Sequence, residues 1–521
     1  TFVLQFPQAD QVAHLALAMA SPAAAGMGPI GTSPPTSREP TGTGAMVSRE
    51  PPGASSAPSG MASAPGGIAL GPSDPREGAS PGPGGPSTSP SGTFPNPSSA
   101  LLLAMGSHDG RIEVWRLERG ATGLIPALRW RLGDEGQGHR DRVRRVGFSP
   151  GAGLLASAGF DGTARVWDLA KGEEICTLAL TPDAQPCTQN GRPDCPAVYQ
   201  ALFAPQGDWL LTASNDSWHP VRLWDLRTCA PLGEDLPTEP GAGGVRAAAL
   251  ARDEAGMVWV ASGAENGSVQ VLRVDGAGHW TPVCAGPWHR NTVQDLAFSP
   301  GARHLATASE DGRLALVELT GDAGATGPIE ATGSAGRAGS VGSAGAACGA
   351  PRYLDPRAGA VTSVRFAPDG RTLVTASGEG EAQVWDLDGT QLARLTGHKA
   401  RILSLDFSPD GRWLLTASRD GTVRLWPNPT RLQPRPLTAY LTLSAGLGGA
   451  SHASFSPDGL SIGAAYRNDV ALLWQLWDEG AEADPALAAD WGADRARLAL
   501  IQAARRFMDE NLQAARPTPA P

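Results

Sequence analysis

The sequence predicts an all-β fold built from a repeated unit of three short antiparallel strands. One stretch returns along the chain, and its clearest copies are residues 138–167 and 397–426. Each copy contains runs that alternate apolar and polar residues, which is the pattern of half-buried strands. The first two runs are joined by Ser-Pro-Asp-Gly at 408–411 and the last two by Asp-Gly, which are tight-turn sequences. A self-similar unit of this kind decides the architecture of the whole chain.

The two clear copies share further residues at fixed places. Each begins with Gly-His, carries Phe-Ser-Pro at the end of its first run and ends on Trp167 or Trp426. These residues resemble the WD40 repeat. The resemblance implies a β-propeller, in which each blade is a four-stranded sheet and the blades surround a central channel. A strand between repeats, such as residues 175–178 or 391–395, then supplies the fourth strand of a blade.

The number of blades is predicted from the ends of the third strands. Their spacing lies between 41 and 68 residues, and the shortest spacing matches the roughly 40–45 residues of a WD40 repeat. We predict eight blades. A seven-bladed ring, the commoner number in the family, with one irregular repeat set aside is the alternative. The third strands end at Trp115, Trp167, Trp224, Leu272, Val317, Trp385, Trp426 and Trp474.

The domain organisation follows from composition. Residues 1–22 hold the strand TFVLQF and the first strand of repeat 1, and TFVLQF is expected to close the ring as the outer strand of the last blade. The tract 23–98 is dominated by Pro, Gly, Ser, Ala and Thr, which predicts a disordered insertion. The propeller is assigned to 99–478, with a second disordered insertion at about 321–349. A helical pattern predicts a C-terminal helical segment over 484–516.

The resemblance also implies a hydrogen-bonded group of four side chains in each complete repeat. A buried Trp N–H and a buried imidazole each need a partner, and a satisfied network makes the sheet rigid. We interpret the group as structural rather than catalytic, because the His–Asp pair recurs at one spacing and no nucleophile stands in register. The matching residues are His139, Ser157, Asp161 and Trp167 in one repeat and His398, Thr416, Asp420 and Trp426 in the other.

Composition and charge narrow the possible partners. The net charge is −10 and the pI is about 5.4, which argues against nucleic acid and anionic membranes. The sequence has no apolar run long enough for a transmembrane helix. No phosphate-binding loop and no zinc-type Cys/His cluster is visible, so no cofactor and no metal is predicted. The basic run 139–145 could bind an anion, but a solvated strand face is the favoured interpretation.

The small number of cysteines predicts a reducing environment. Six cysteines in 521 residues are too few for a disulfide scaffold. We therefore predict reduced thiols in a cytoplasmic protein. Cys187 and Cys195, which lie close together in a loop, are the pair that could bridge under oxidation.

Function is predicted through the resemblance. WD40 propellers are rigid platforms for protein partners and are seldom enzymes, so we expect a monomeric, non-catalytic scaffold or sensor module. The clear repeat copies and the Ala/Gly/Pro/Arg-rich composition look like bacterial WD40 arrays, which are often fused to a kinase, a protease or a signalling NTPase. The missing initiator Met fits a fragment of such a chain, with the effector domain upstream. The alternative is a propeller enzyme, a hydrolase or lyase that uses the central channel. Asp295 and Asp406 lie in first strands, but no acid–base pair is visible.

A protein partner is expected to bind at loops. The resemblance implies that the turns between second and third strands share one rim of the ring with the loops between repeats, and we call this the top rim. The insertion 23–98 is expected on the opposite, bottom rim. Aromatic and Arg side chains are enriched at the centres of protein interfaces. The candidates beside the top-rim turns are His108, Phe160, Trp218, His219, Trp288, Glu310, Arg419 and Arg467.

Overall fold

The computed structural model describes residues 2–5, 12–19, 100–120, 123–133, 138–180, 196–216, 220–233, 236, 243–275, 278–319, 348–356, 359–428, 437, 439–444, 446, 448–467 and 470–476. These residues form strands joined by turns, with one short 3₁₀ turn at Pro300–Ala302. No helix among them is long and apolar enough to cross a membrane. The predicted insertion 23–98 and the predicted helical segment 484–516 lie outside the described residues.

The strands form eight four-stranded antiparallel sheets, which are the blades. β1 is Phe2–Gln5. Blade 1 contains β2 (Val12–Met19), β3 (Leu101–Ser107), β4 (Ile112–Gly120) and β5 (Gly123–Leu132). Blade 2 contains β6 (Val143–Phe148), β7 (Leu154–Gly159), β8 (Thr163–Asp168) and β9 (Glu173–Ala179). Blade 3 contains β10 (Val198–Phe203), β11 (Trp209–Ser214), β12 (Val221–Asp225) and β13 (Ala230–Pro231). Blade 4 contains β14 (Val245–Arg252), β15 (Val258–Ala264), β16 (Ser268–Val274) and β17 (Trp280–Pro287).

The second half of the ring repeats this plan. Blade 5 contains β18 (Val293–Phe298), β19 (His304–Ser309), β20 (Leu314–Glu318) and β21 (Arg352–Leu354). Blade 6 contains β22 (Val361–Phe366), β23 (Thr372–Ser377), β24 (Ala382–Asp386) and β25 (Gln391–Leu395). Blade 7 contains β26 (Ile402–Phe407), β27 (Trp413–Ser418), β28 (Thr422–Pro427) and β29 (Leu441–Ser444). Blade 8 contains β30 (Ala450–Phe455), β31 (Ser461–Tyr466), β32 (Val470–Gln475) and β1.

The ring is closed by the N-terminal strand. β1 pairs antiparallel with β32, with Phe2 opposite Leu473 and Gln5 opposite Val470. The last blade therefore takes its outer strand from the start of the chain and its other strands from the end. The prediction of eight blades closed by this strand is confirmed, and the seven-bladed alternative is wrong. This pairing completes the fourth strand of blade 8, so the outer edge of β32 is hydrogen-bonded rather than open.

The inner strand of every blade carries a β-bulge at the same place. In β6 the pairing with β7 shifts between Val143 and Arg145, and equivalent shifts occur in β2, β10, β14, β18, β22, β26 and β30. In a regular strand, neighbouring side chains point to opposite faces. A bulge breaks this alternation and re-aims a side chain. Two consecutive residues of one strand, Arg144 and Arg145, consequently both line the central channel.

The apolar core lies between blades. One buried cluster joins Val374 and Val384 of blade 6 to Leu405 and Trp426 of blade 7. Other clusters join adjacent blades in the same way around the ring. Burying apolar surface between neighbours makes each blade depend on the next, as in other repeat folds. Positive φ at Gly162 and Gly421, 80° and 83°, explains why Asp-Gly forms the turns between second and third strands.

Among the described residues, two disulfides join neighbouring blades at the outside of the ring. Cys176 of β9 bonds to Cys229 in the turn before β13, with their Cα atoms 5.5 Å apart. Cys284 of β17 bonds to Cys348, and the Cα atoms of these two residues are 6.2 Å apart. Cys348 pairs with Leu319, beside blade 5, in an isolated antiparallel β-bridge. The prediction of reduced thiols is therefore wrong for these four cysteines.

The physical reason is that the outer strand of one blade lies beside the outer hairpin of the next, which counting cysteines does not reveal. Cys187 and Cys195, the pair considered from the sequence, lie outside the described residues. Cys348 also falls within the predicted insertion 321–349. The end of that tract thus belongs to blade 5, and residues 320–347 lie outside the described residues.

Candidate functional site

The four predicted side chains of blade 7 lie together as one hydrogen-bonded network. His398 contacts Thr416 Oγ1 through Nε2 at 2.7 Å and Asp420 Oδ2 through Nδ1 at 3.0 Å. The indole N–H of Trp426 donates to Thr416 Oγ1 at 3.0 Å. The backbone N–H of Lys399 donates to Asp420 Oδ2 at 2.8 Å, which ties the loop before the inner strand to the turn. The network fastens the first, second and third strands of the blade to one another.

Blade 2 has the same arrangement. His139 contacts Ser157 Oγ at 2.7 Å and Asp161 Oδ1 at 3.0 Å, and the N–H of Trp167 donates to Ser157 Oγ at 3.0 Å. The side chains of His139 and Asp161 have no solvent exposure. A substrate cannot reach them without opening the blade. The geometry therefore supports a role in holding the blade together rather than in chemistry.

Other blades keep part of the network. In blade 5, His289 contacts Thr307 Oγ1 at 2.7 Å and Asp311 Oδ2 at 3.1 Å, while the place of the Trp is taken by the buried Val317. In blades 3 and 6 the Trp N–H donates to a second-strand Thr, from Trp224 to Thr212 at 2.9 Å and from Trp385 to Thr375 at 3.1 Å. The indole–hydroxyl contact thus recurs where the His is missing.

Acidification is expected to destabilise the protein between about pH 6.5 and pH 4. Burial lowers the pKa of His398 to about 4, although Asp420 opposes the shift, and burial lowers the pKa of His452 to about 3. In this window these histidines bind more protons in the unfolded chain than in the folded one, so their contribution to the free energy of unfolding falls as pH falls. Asp406, whose pKa burial raises to about 6, acts in the opposite sense and offsets part of the loss. The loss is about 3 kcal/mol for a histidine with the shift of His398.

Urea unfolding at pH 7, 5.5 and 4.5 measures this loss. The His398→Gln variant serves as the control, since it removes one titrating group and should show a flatter dependence on pH than the wild type. A free energy of unfolding that stays constant from pH 7 to pH 4.5 would contradict the assignment of a neutral, buried imidazole.

The structure describes six of the eight candidate rim residues. His108, Arg419 and Arg467 line the mouth of the central channel. Phe160 packs edge-on against Tyr199, with 5.8 Å between ring centroids. Trp288 packs against an apolar cluster beside blade 5. Glu310 accepts a hydrogen bond from Gln294 Nε2 at 2.8 Å. Trp218 and His219 lie outside the described residues.

The top end of the channel contains a cavity of about 420 Å³. It is lined by the first residues of the inner strands and by residues of the turns between second and third strands. Its charge is opposite to that of the protein, which carries a net charge of −10. Seven arginines line it: Arg144, Arg145, Arg246, Arg365, Arg401, Arg419 and Arg467.

Two of the seven arginines have carboxylate partners. Arg365 Nη1 lies 2.7 Å from Asp295 Oδ2, and Arg246 Nε lies 2.8 Å from Glu265 Oε1. The other five have no carboxylate at ion-pair distance among the described residues. They are Arg144, Arg145, Arg401, Arg419 and Arg467. The cavity therefore holds a concentration of uncompensated positive charge.

Two histidines lie at the floor of this cavity. The rings of His14 and His452 have centroids 4.0 Å apart, and both Nδ1 atoms are inaccessible to solvent without a hydrogen-bond partner. Burial, together with Arg144, Arg145 and Arg365, lowers the pKa of His452 to about 3. Burial lowers the pKa of Arg145 to about 10, and the nearby charge of Arg365 adds to the shift. The floor consists of neutral imidazoles beneath charged guanidinium groups.

A second cavity of about 310 Å³ continues below the first and shares His14, Arg145, Arg365 and His452 with it. Asp406 lines this lower cavity and accepts a hydrogen bond from the backbone N–H of Phe455 at 2.8 Å. Among the described residues, no group of three or more His, Cys, Asp or Glu side chains is arranged to hold a metal ion.

Only part of this cavity was predictable from the sequence. Arg144 and Arg145 belong to the basic run for which a solvated strand face was favoured, and the structure places both in the channel wall. Arg365 and Arg401 were not considered. One sequence pattern could have predicted this charged wall, because charged residues recur at the second, third and fifth places of the inner strands. Strict alternation hides it, because the bulge turns two neighbouring residues the same way.

Comparisons with known proteins agree with this fold. A family model described as "WD domain, G-beta repeat" matches residues 132–168, 280–316, 353–386 and 389–427. Among the similar proteins is "Protein LST8 homolog" of Drosophila melanogaster, with 27% identity over 55% of this chain and 76% of the relative. Another is "Small ribosomal subunit protein RACK1y" of Oryza sativa subsp. japonica, with 32% identity over 26% of this chain and 32% of the relative.

Solved structures show the same architecture. The C-terminal WD40 domain of Sif2 superimposes with a TM-score of 0.53 at 16% identity, over 74% of this chain and 94% of that chain. The computationally designed Ika8 protein superimposes with a TM-score of 0.52 at 20% identity, over 72% of this chain and 93% of that chain. At these identities the likeness shows the fold alone.

Proposed function

This chain carries WD40 repeats in an eight-bladed β-propeller, and we propose that it is a non-catalytic scaffold or sensor module that binds a protein partner at its top rim. One observation carries the proposal. The recurrent His and Asp side chains are buried within blades, whereas exposed Arg419 and Arg467 surround the channel mouth on one rim. Arg is enriched at the energetic centres of protein interfaces.

The relatives support this proposal in a limited way. Several carry the name of a small ribosomal subunit protein, which is a component of a larger assembly. We extend the proposal to a role within a larger signalling protein of bacterial origin, supported by the composition of the chain. The named relatives come from an insect and from plants, so they lend no support to the bacterial part. The two disulfides weigh against a cytoplasmic location, because disulfides persist in oxidising compartments.

A catalytic function in the channel is the second candidate. It is favoured by the convergence of charged residues in the channel and by Asp406, whose pKa burial raises to about 6. A carboxyl group with such a pKa can act as a general acid or base near neutral pH. Asp295 is occupied, because its Oδ2 accepts hydrogen bonds from Ser363 Oγ and Arg365 Nη1, both at 2.7 Å. The basic character of the site favours binding of an anion over acid–base chemistry.

Affinity capture with the whole chain tests the scaffold proposal. The whole chain is required because β1 closes blade 8. The wild type is expected to enrich a protein partner from a lysate of the source organism, and Phe160→Ala, Arg419→Ala and Arg467→Ala together are expected to abolish capture. A bottom-rim control combines Asp369→Ala, Arg371→Ala and Arg412→Ala, all exposed, and should retain the partner. Retention by both variants, or loss by both, would exclude the top rim as the specific interface.

A further inference from the structure

The channel cavity has an electrostatic cost that the scaffold role does not explain. Five arginines without a carboxylate partner converge on a space of about 420 Å³. Removing charged groups from water without compensation is unfavourable, and like charges brought together repel. Natural proteins keep such costs mainly at functional sites. Arg145, which is half-buried, bears both costs, since burial and the nearby charges of Arg365 and Arg144 lower its pKa, with only partial opposition from Asp295.

We propose that the top end of the channel binds a small ligand that carries at least two phosphate groups. This goes beyond a scaffold role, because it assigns a small-molecule site to the centre of the ring. The ligand class follows from the donors. The planar guanidinium group matches phosphate oxygens with two parallel hydrogen bonds, and it stays charged at every physiological pH.

The need for more than one phosphate follows from the arrangement of the arginines around the ring. Arg145 belongs to blade 2 and Arg365 to blade 6, so they approach the axis from opposite sides of an eight-bladed ring. Arg401, Arg419 and Arg467 belong to blades 7 and 8 and lie at the mouth. A single phosphate has too few oxygen atoms to form two parallel hydrogen bonds with each of these guanidinium groups. A compact ligand with several phosphates can contact them together.

The size of the cavity limits the ligand. About 420 Å³ suits a small molecule, because ligand pockets generally hold roughly 300–1,000 Å³. The hydroxyl groups of Thr362 and Ser404 between the arginines donate to the backbone carbonyls of Ile402 and Ala453, so the guanidinium groups supply the donors to the ligand. The low-dielectric wall of the channel concentrates the positive potential at the mouth, which raises the rate of capture of anions.

One acidic residue, Asp295, also lines the cavity. Asp295 would repel an anion, but its Oδ2 accepts from Ser363 Oγ, from the backbone N–H of Val364 at 3.1 Å and from Arg365. These three donors offset its charge on the channel side. Glu265 accepts a hydrogen bond from Arg246 Nε and Glu310 accepts one from Gln294 Nε2, both at 2.8 Å. The net character of the wall stays positive.

Titration calorimetry with sodium tripolyphosphate on the whole chain tests the site. At 50 mM salt the wild type is expected to bind one equivalent, and binding should weaken at least tenfold at 300 mM salt because screening acts on charged contacts. Arg145→Gln is expected to weaken binding by roughly tenfold to a hundredfold, the range for losing a charge-assisted hydrogen bond. Arg371→Gln, an equal change of charge on the bottom rim, should change binding by less than about twofold.

A stability measurement keeps the test independent of folding defects. Arg145→Gln removes a repulsive, desolvated charge, so the ligand-free variant is expected to melt at or above the temperature of the wild type. At the same concentration, tripolyphosphate should raise the melting temperature of the wild type more than that of the variant. If Arg145→Gln fails to fold, Arg467→Gln at the exposed mouth replaces it, with an expected several-fold loss of affinity.

Three outcomes would overturn the proposal. One is that sodium sulfate at matched ionic strength produces the same heat and the same thermal shift, which would indicate an adventitious ion only. Another is an equal loss of affinity in Arg145→Gln and Arg371→Gln. The third is tighter binding of a hexaglutamate peptide than of tripolyphosphate, which would assign the channel to an acidic protein segment instead.

Discussion

Asp420→Ala is expected to lower the free energy of unfolding by about 2–4 kcal/mol. The Asp420 carboxylate accepts hydrogen bonds from the backbone N–H groups of Lys399 and Thr422 and contacts His398 Nδ1. Its substitution leaves these donors without a partner inside the blade, where an unsatisfied polar group costs about 1–3 kcal/mol. Hydrogen bonds from Thr422 and Lys399 outweigh burial and lower the pKa of Asp420 to about 2, so the carboxylate is charged at neutral pH.

Asp410→Ala in the same blade is the matched control. Asp410 lies in the bottom-rim turn between β26 and β27 with 48% of its side chain exposed, and it accepts from Ser408 Oγ at 2.5 Å. Its loss is expected to cost less than about 1 kcal/mol, because exposed contacts contribute little. Urea unfolding of both variants and the wild type gives the comparison. Equal effects of the two substitutions would contradict the special role of the buried network.

Reduction of the two inter-blade disulfides is expected to have an effect of similar or greater size. The two bonds link cysteines that are 53 and 64 residues apart in the sequence. In the chain-entropy model a closed loop of this length contributes about 4 kcal/mol, because it restricts the unfolded chain. The melting temperature should therefore fall when the protein is reduced. Differential scanning calorimetry with and without a phosphine reductant measures the change.

Two variants separate the bonds from the remaining cysteines. Cys176→Ser with Cys229→Ser, and Cys284→Ser with Cys348→Ser, should each lower the melting temperature and reduce its response to reductant. Cys187→Ser with Cys195→Ser is the control for a contribution from the loop pair. Titration of four free thiols at these positions in the native, unreduced protein would contradict the bonds.

The fold was largely predictable because its signal is local. Each repeat carries turn sequences and alternation within its own segment, so two clear copies sufficed to identify six looser ones. The ring closure was predictable because the strand TFVLQF precedes repeat 1, whereas the last blade needed an outer strand. The network of His398, Thr416, Asp420 and Trp426 was accessible through the family resemblance, which implies these four positions, and all four lie within one blade.

The features that the sequence did not predict arise between blades. The Cys176–Cys229 bond joins residues whose proximity depends on how two blades stand beside each other. The channel cavity combines single residues from many blades, and Arg145 reaches it only because a bulge interrupts alternation in β6. Periodicity within one strand does not contain this information. The net charge of −10 also failed to predict the cavity, because a negative total does not show that arginines cluster at the centre of the ring.

Parallel measurement of stability and partner capture in two neighbouring variants tests the central claim most directly. That claim assigns the recurrent residues to the cohesion of the blades and the top rim to binding. Asp420→Ala should lose stability and, at a temperature where it remains folded, retain the partner. Arg419→Ala, one residue earlier on the exposed rim, should keep wild-type stability and lose partner affinity. A folded Asp420→Ala protein that fails to bind, together with Arg419→Ala binding like the wild type, would contradict the account.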